Sequence, residues 1–125
     1  MKKIIHSNNA PKAVGPYSQA VEAGGTLYVS GQLPVVPADG SVPATIEEQT
    51  ARSLENIRAI LTEAGYALPD VVKTTVLLAD MDDFAAMNGV YATFFTERMP
   101  ARVCYQVARL PLGVKVEIDV IAVKG

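Results

Sequence analysis

The residue types on which strong site signals are built are scarce in this chain. Cysteine and histidine occur once each. The lone Cys104 cannot close an internal disulfide, which fits a reducing cytosol. One Cys and one His also leave a structural zinc site without its ligands. His6, near the N-terminus, reads as a surface or strand-end residue rather than a catalytic one. Charge is sparse too: 19% of residues are charged and the formal net charge is −2, with a pI of about 5.3. No basic cluster extends beyond Lys2-Lys3, which argues against nucleic acid as a main ligand, because phosphate binding shows as a basic footprint. No apolar run approaches the ~20 residues of a membrane span, and no signal-peptide core opens the chain. The expectation is a soluble, cytoplasmic protein with no membrane partner. Phosphate loops, nucleotide fingerprints, metal-ligand clusters and Ser/His/Asp sets are missing as well.

What the chain has in quantity is apolar surface. Half of its 125 residues are apolar, a high share for one domain spanning residues 1–125 that buries about two-thirds of its unfolded surface. Either the core is unusually rich or part of the surface is covered by another subunit. The run from Val71 to Ala79 favours the second option. Apart from Lys73 it is apolar or Thr on both faces, as in a strand covered on both sides.

Punctuation along the chain gives the order β-β-β-α-β-α-β-β. A short strand at Lys3 to His6 precedes a hairpin, Tyr17 to Ala23 and Thr26 to Gln32, around Gly24-Gly25. Pro34 to Pro43 reads as a loop. Thr45 and Glu48 form a capping box ahead of the apolar stripe Ile46, Leu54, Ile57, Leu61 and Ala64, and Gly65 closes that helix. Asp80 caps a second helix running to about Arg98, with the stripe Phe84, Met87, Tyr91 and Phe94 or Phe95. Its interior Asn88-Gly89 is a local contradiction, since Gly there costs about 1 kcal/mol relative to Ala. Two alternating strands finish the chain, Ala101 to Ala108 and Val114 to Val123.

Period-two alternation puts Arg102, Cys104 and Gln106 on one face of the first of these strands, opposite Val103, Tyr105 and Val107. In the second, Glu117 shares a face with Lys115 and Asp119. If the two strands are neighbours, a guanidinium, a thiol and a carboxylate meet on one surface. Arg grips a planar carboxylate in two parallel hydrogen bonds, and Glu can move a proton or orient water. Such a trio suits a small carboxylic acid. A cross-strand ion pair on a solvated face fits the same spacing, and spacing alone does not separate the two. Ser30-Gly31 either lets a ligand approach backbone N–H groups or simply turns the chain. Tyr17 is a packing residue with a wet tip or a ligand contact. Cys104 has no evident base beside it and suits a wall residue or backbone donor better than a nucleophile.

Three motifs follow one another in order. They are Gly15-Pro16-Tyr17-Ser18-Gln19-Ala20, Tyr28-Val29-Ser30-Gly31-Gln32, and the run from Pro100 to Pro111 followed by Val116-Glu117-Ile118. Together they resemble the YjgF/RidA family of imine and enamine deaminases over nearly the whole chain. The resemblance implies an α+β, chorismate-mutase-like fold, with a mixed sheet, two helices packed on one face, and a homotrimer with ligand clefts between subunits. It implies hydrolysis of reactive 2-imino and enamine acids to 2-oxo acids and ammonia, with no cofactor and no metal. The substrates would be 2-iminobutanoate and 2-iminopropanoate with its tautomer 2-aminoacrylate. Residue by residue, it assigns Arg102 to the substrate carboxylate and Glu117 to the attacking water. Tyr17, Ser30, Gly31, Asn88 and Cys104 would line the cleft. Val103 departs from close relatives, which often carry a small hydroxyl residue there, but it faces away from Arg102. The alternative is a non-catalytic 2-oxo acid-binding regulator using the same clamp. An RNA-degrading role, attributed to some relatives, conflicts with the acidic pI.

Overall fold

Alternation and capping build the elements largely where the sequence marks them. In the computed structural model, which describes residues 1–124, eight elements follow in the expected order. They are β1 (Lys3–Ile5), β2 (Ala20–Ala23), β3 (Thr26–Gln32), α1 (Ile46–Glu63), β4 (Val71–Leu78), α2 (Phe84–Phe94), β5 (Ala101–Gln106) and β6 (Val116–Val123). The β2–β3 hairpin turns on Gly24 and Gly25, at φ +57° and +80°, which only Gly adopts without strain. At the start of α1, the Thr45 hydroxyl accepts from the Glu48 N–H at 3.1 Å. Glu48 in turn accepts the Thr45 N–H at 3.3 Å, so two otherwise orphaned donors are satisfied.

The six strands form one sheet in the order β1-β2-β3-β6-β4-β5. Every neighbouring pair is antiparallel except β4 and β5. That parallel pair requires a crossover, which α2 supplies. The two helices pack side by side on one face. Toward them turn Leu27, Val29, Val76, Ile118 and Val120, all buried. Buried amides on α1 tie down the loop after β3: Asn56 donates to the carbonyls of Leu33 and Val35 at 3.1 and 2.9 Å, and Gln49 to that of Pro43 at 2.9 Å.

Among the described residues, no helix covers the opposite face. Ile4, Tyr28, Val103, Tyr105 and Val123 lie there at 43–54% exposure, an apolar patch of the kind that marks an interaction surface. β4 was expected to be covered on both sides. Within one protomer it is covered on one: Thr74, Val76 and Leu78 are buried against the helices, while Thr75 and Leu77 stay partly open.

Some strand ends shift by one or two residues: β1 stops at Ile5, β5 at Gln106, and β6 begins at Val116. Three boundaries differ more. Tyr17 lies in a turn ahead of β2, closed by a 2.8 Å bond from its N–H to the Gly15 carbonyl, rather than at the start of a strand. Asp80 caps a separate 3₁₀ turn, Met81–Asp83, that leads into α2. α2 then ends at Phe94 instead of Arg98. Phe95 leaves the helix in an extended conformation and packs its ring 4.8 Å from that of Tyr91. Farther on, Pro100 disfavours helical backbone at Met99.

Candidate functional site

The expected site residues fall into two groups, built on opposite sides of the sheet. The first surrounds Arg102 on β5. Parallel register sets Arg102 beside Thr74, Cys104 beside Val76 and Gln106 beside Leu78, so all three side chains turn toward the helices. Arg102 Nη1 donates to Asn88 Oδ1 at 2.7 Å. Its guanidinium carbon stands 4.9 Å from the centre of the Tyr91 ring and 5.5 Å from that of Phe84. Among the described residues it has no carboxylate partner. A cavity of about 330 Å³ opens beside it, lined by Asn88, Tyr91, Phe95, Met99 and Pro100. An Arg held on two rings and one amide, with part of its fork free, is a ready anion site.

Cys104 is partly buried on the same face. Burial pushes its thiol up, and the nearby Arg102 only partly offsets this, so the group stays protonated and a poor nucleophile near neutral pH. Its backbone has a clearer use. β5 is an edge strand, and the Val107 N–H reaches inward to the Leu78 carbonyl at 2.9 Å. Alternation therefore leaves the Cys104 N–H on the free edge, available to a ligand. Gln106 is occupied elsewhere, accepting the Met81 N–H at 2.9 Å.

The second group surrounds Glu117 on β6. Glu117 pairs with Leu77, and Leu77 with Tyr105, which puts the carboxylate on the open face. The expectation that neighbouring strands gather Arg102, Cys104 and Glu117 on one surface is thus overturned. β4 separates β5 from β6, and within a protomer the guanidinium and the carboxylate point to opposite sides. The cross-strand ion pair falls with it.

Gly31 explains how Glu117 is seated. The β3–β6 register shifts between Val29 and Gln32, a bulge of the sort that re-aims the chain beside functional sites. There the Glu117 carboxyl lies against the Gly31 backbone, and a Cβ at residue 31 would collide with it, only 3.0 Å from the carboxyl carbon. Ser30 is a tether: its hydroxyl donates to the Ser18 carbonyl at 2.6 Å and its N–H to that of Gln19 at 2.9 Å. Half-exposed Tyr17 and Gly31 line a cavity of about 270 Å³ together with Leu33, Val36 and Leu112. Burial raises the pKa of Glu117, and the negative charge of Asp119 adds to it. Asp119 is itself raised by burial, against the pull of a Thr75 hydrogen bond and of Lys73.

The fold and this geometry meet a known family. The family model described as endoribonuclease L-PSP matches residues 7–124. The chain belongs to this family, the YjgF/RidA family. A 2-iminobutanoate/2-iminopropanoate deaminase of Escherichia coli is 50% identical over 127 residues, with 99% of each chain covered. A RutC family protein of Pyrococcus horikoshii is 54% identical over 125 residues, again covering 99% of each. The crystal structure of E. coli TdcF with bound serine superposes with a TM-score of 0.96 at 48% identity, covering 98% of this chain and 99% of that one.

Within the YjgF/RidA scaffold, Phe84 and Tyr91 are site neighbours that sequence reasoning placed only in the apolar stripe of α2. The signal was present. Phe84, Asn88 and Tyr91 stand at i, i+4 and i+7, one face of a helix. Among the described residues, no group of three or more His, Cys, Asp or Glu is arranged to hold a metal ion, and no helix is long and apolar enough to cross a membrane.

Proposed function

We propose that this YjgF/RidA chain is a deaminase that hydrolyses short 2-imino acids to 2-oxo acids and ammonia, at clefts shared between two copies. The observation that carries the shared cleft is the placement of Arg102 and Glu117 on opposite faces of one sheet. One protomer cannot bring both to a small substrate. A second copy laid on the open face can, and it gives the two-sided apolar pattern of β4 its reason. A homotrimer with three such clefts is the closed arrangement we favour. The activity is supported by the deaminase relative at 50% identity and by the serine held in TdcF, an α-amino carboxylate of the size proposed here.

Arg102 takes the substrate carboxylate in the free part of its fork, and the Cys104 N–H donates from the strand edge. Tyr17 and the adjoining apolar cavity receive the short side chain. A protonated imine carbon is already electrophilic, so the protein supplies orientation and proton handling. Glu117 takes a proton from water as the water oxygen bonds to the imine carbon, giving a 2-amino-2-hydroxy acid. The same carboxyl returns that proton to nitrogen. It then accepts the hydroxyl proton while the C–N bond breaks to give the 2-oxo acid, and passes that proton to the departing ammonia, which leaves as ammonium. A carboxyl raised by burial suits this alternation, because it both accepts and releases protons nearer neutral pH. RNA cleavage, which the family model's description suggests, finds no basic footprint in so acidic a chain.

The test is complementation. Imine is generated by a threonine dehydratase with semicarbazide as competitor, and 2-oxobutanoate formation is followed. Arg102→Ala and Glu117→Gln are each expected to retain about 1% of the activity or less alone. Co-refolded one to one, they should regain activity, because about a quarter of shared clefts then draw an intact Arg and an intact Glu from different copies. No recovery in a verified mixed assembly would refute the shared cleft. Wild type that binds 2-oxobutanoate without accelerating imine loss would reduce the protein to a metabolite-binding role.

A further inference from the structure

We infer that Tyr91 is a positioning residue for Arg102, and that its ring, locked from behind by Thr74, presets the carboxylate clamp before substrate arrives. The inference rests on the reading of Arg102 as that clamp and extends it to a residue that acts through the Arg.

Tyr91 is 8% exposed and Thr74 fully buried, yet both are polar. Their hydroxyls satisfy each other at 2.8 Å. The bond crosses from α2 to β4, the strand that pairs directly with β5 and sets Thr74 opposite Arg102. The phenol ring is thus fixed at its far end to the sheet that carries the Arg, while its face lies 4.9 Å from the guanidinium carbon. Asn88, one helical turn away, supplies the in-plane acceptor at 2.7 Å, and Phe84 closes a further side at 5.5 Å. A long side chain in water explores many rotamers, and ordering it on binding weakens affinity. Here folding does the ordering. A planar cation stacks on a ring without spending its edge donors, which leaves them for the anion. A buried tyrosine needed only for packing would be served as well by Phe or Leu, with no reason to bury a matched threonine hydroxyl.

The experiment compares Tyr91→Leu, Tyr91→Phe and Thr74→Val in the assembled protein. Its readouts are KM and kcat in the semicarbazide assay, 2-oxobutanoate binding by calorimetry, and the NMR resonance of the Arg102 Nε–H, assigned by its loss in Arg102→Lys. Removing the ring with Tyr91→Leu should raise KM and the 2-oxobutanoate Kd about tenfold, with kcat changed far less. The part of the Nε–H shielding that the Tyr91 ring supplies should disappear with it, leaving only that of Phe84. Tyr91→Phe keeps the ring but frees its far end, and should raise KM and Kd about three- to fivefold, short of Tyr91→Leu, with the Nε–H still partly shielded. Thr74→Val should match Tyr91→Phe, since the two remove the same bond. A Tyr91→Leu protein that is folded and assembled, with KM, Kd and the Nε–H resonance unchanged, would overturn the inference. So would Tyr91→Phe matching either wild type, which would leave the Thr74 lock idle, or Tyr91→Leu, which would leave the ring idle. Should wild type neither bind 2-oxobutanoate nor speed imine loss, the deaminase reading falls, and the Nε–H resonance alone decides whether Tyr91 seats Arg102.

Discussion

The Arg102 pole and the Glu117 pole of the site are finished to different degrees. Around Arg102 a single protomer supplies an amide, two rings and a buried hydroxyl behind one of them, everything except the anion. Around Glu117 it supplies a backbone cradle at Gly31 and partial burial. The difference teaches how labour divides. An Arg ordered in advance is a binding element, because little freedom is left to lose when the ligand arrives. A carboxyl raised in pKa and still partly open suits a proton carrier in the proposed shared cleft. One copy would bind and the next would do the chemistry.

Arg102→Ala strikes the finished pole and should have the largest effect. We expect kcat/KM to fall about a thousandfold or more, since orientation of the substrate is lost along with the charge that holds it. Arg102→Lys should recover little, because an ammonium neither forks nor stacks in the same seat. Steady-state rates of 2-oxobutanoate formation check both, and near-wild-type activity in Arg102→Ala would remove the basis of the comparison.

Glu117→Gln strikes the unfinished pole. The expected loss is about 10²- to 10³-fold, within the range of general acid–base catalysis and smaller than that of Arg102→Ala. The reverse order in assembled protein would exchange the two roles. A pH series sharpens the test. Burial raises the Glu117 pKa, so the basic form accumulates, and kcat/KM climbs, only as pH rises through the raised value. Glu117→Gln should lose that acidic limb. Stability runs the other way. Between the ordinary carboxyl pKa and the raised one, the folded chain keeps a proton that the unfolded chain has released. Stability therefore declines as pH rises across that window. Urea midpoints measured across it should fall less steeply in Glu117→Gln.

The contrast between the poles also marks what was legible in the sequence. Capping chemistry is local, so Thr45, Glu48 and Gly65 gave α1 nearly to the residue. Alternation is local too, and it grouped Arg102 with Cys104 correctly. Whether Glu117 joins them depends on which strand lies between β5 and β6. That is settled by β4 pairing with both, a non-local choice that period-two patterns do not encode. Tyr17 was misplaced for a related reason: Gly15-Pro16 bends the chain before the strand begins, and apolar alternation does not register the bend. Family motifs named the candidate residues, while the faces they occupy emerged only with the sheet.

The smallest effect is expected next door to the Arg102 seat, where Asn88 and Gly89 set a working residue beside an idle one. Asn88 holds the guanidinium. Gly89 lies in the interior of α2, does not adopt positive φ, and would give an added Cβ nothing within 4 Å. No turn, crowding or close approach within the protomer calls for glycine there. Replacing it with Ala removes backbone freedom from the unfolded chain and should stabilise the protein by about 1 kcal/mol. That corresponds to a rise in Tm of about 3 °C, with kcat/KM within about twofold of wild type. Calorimetry and the imine assay read the two quantities separately. A drop in Tm would show that another copy packs against this turn of α2 in the assembly. A drop in kcat/KM at unchanged Tm would extend the shared cleft across it, and the Arg102 pole would then be less complete within one protomer than its hydrogen bonds suggest.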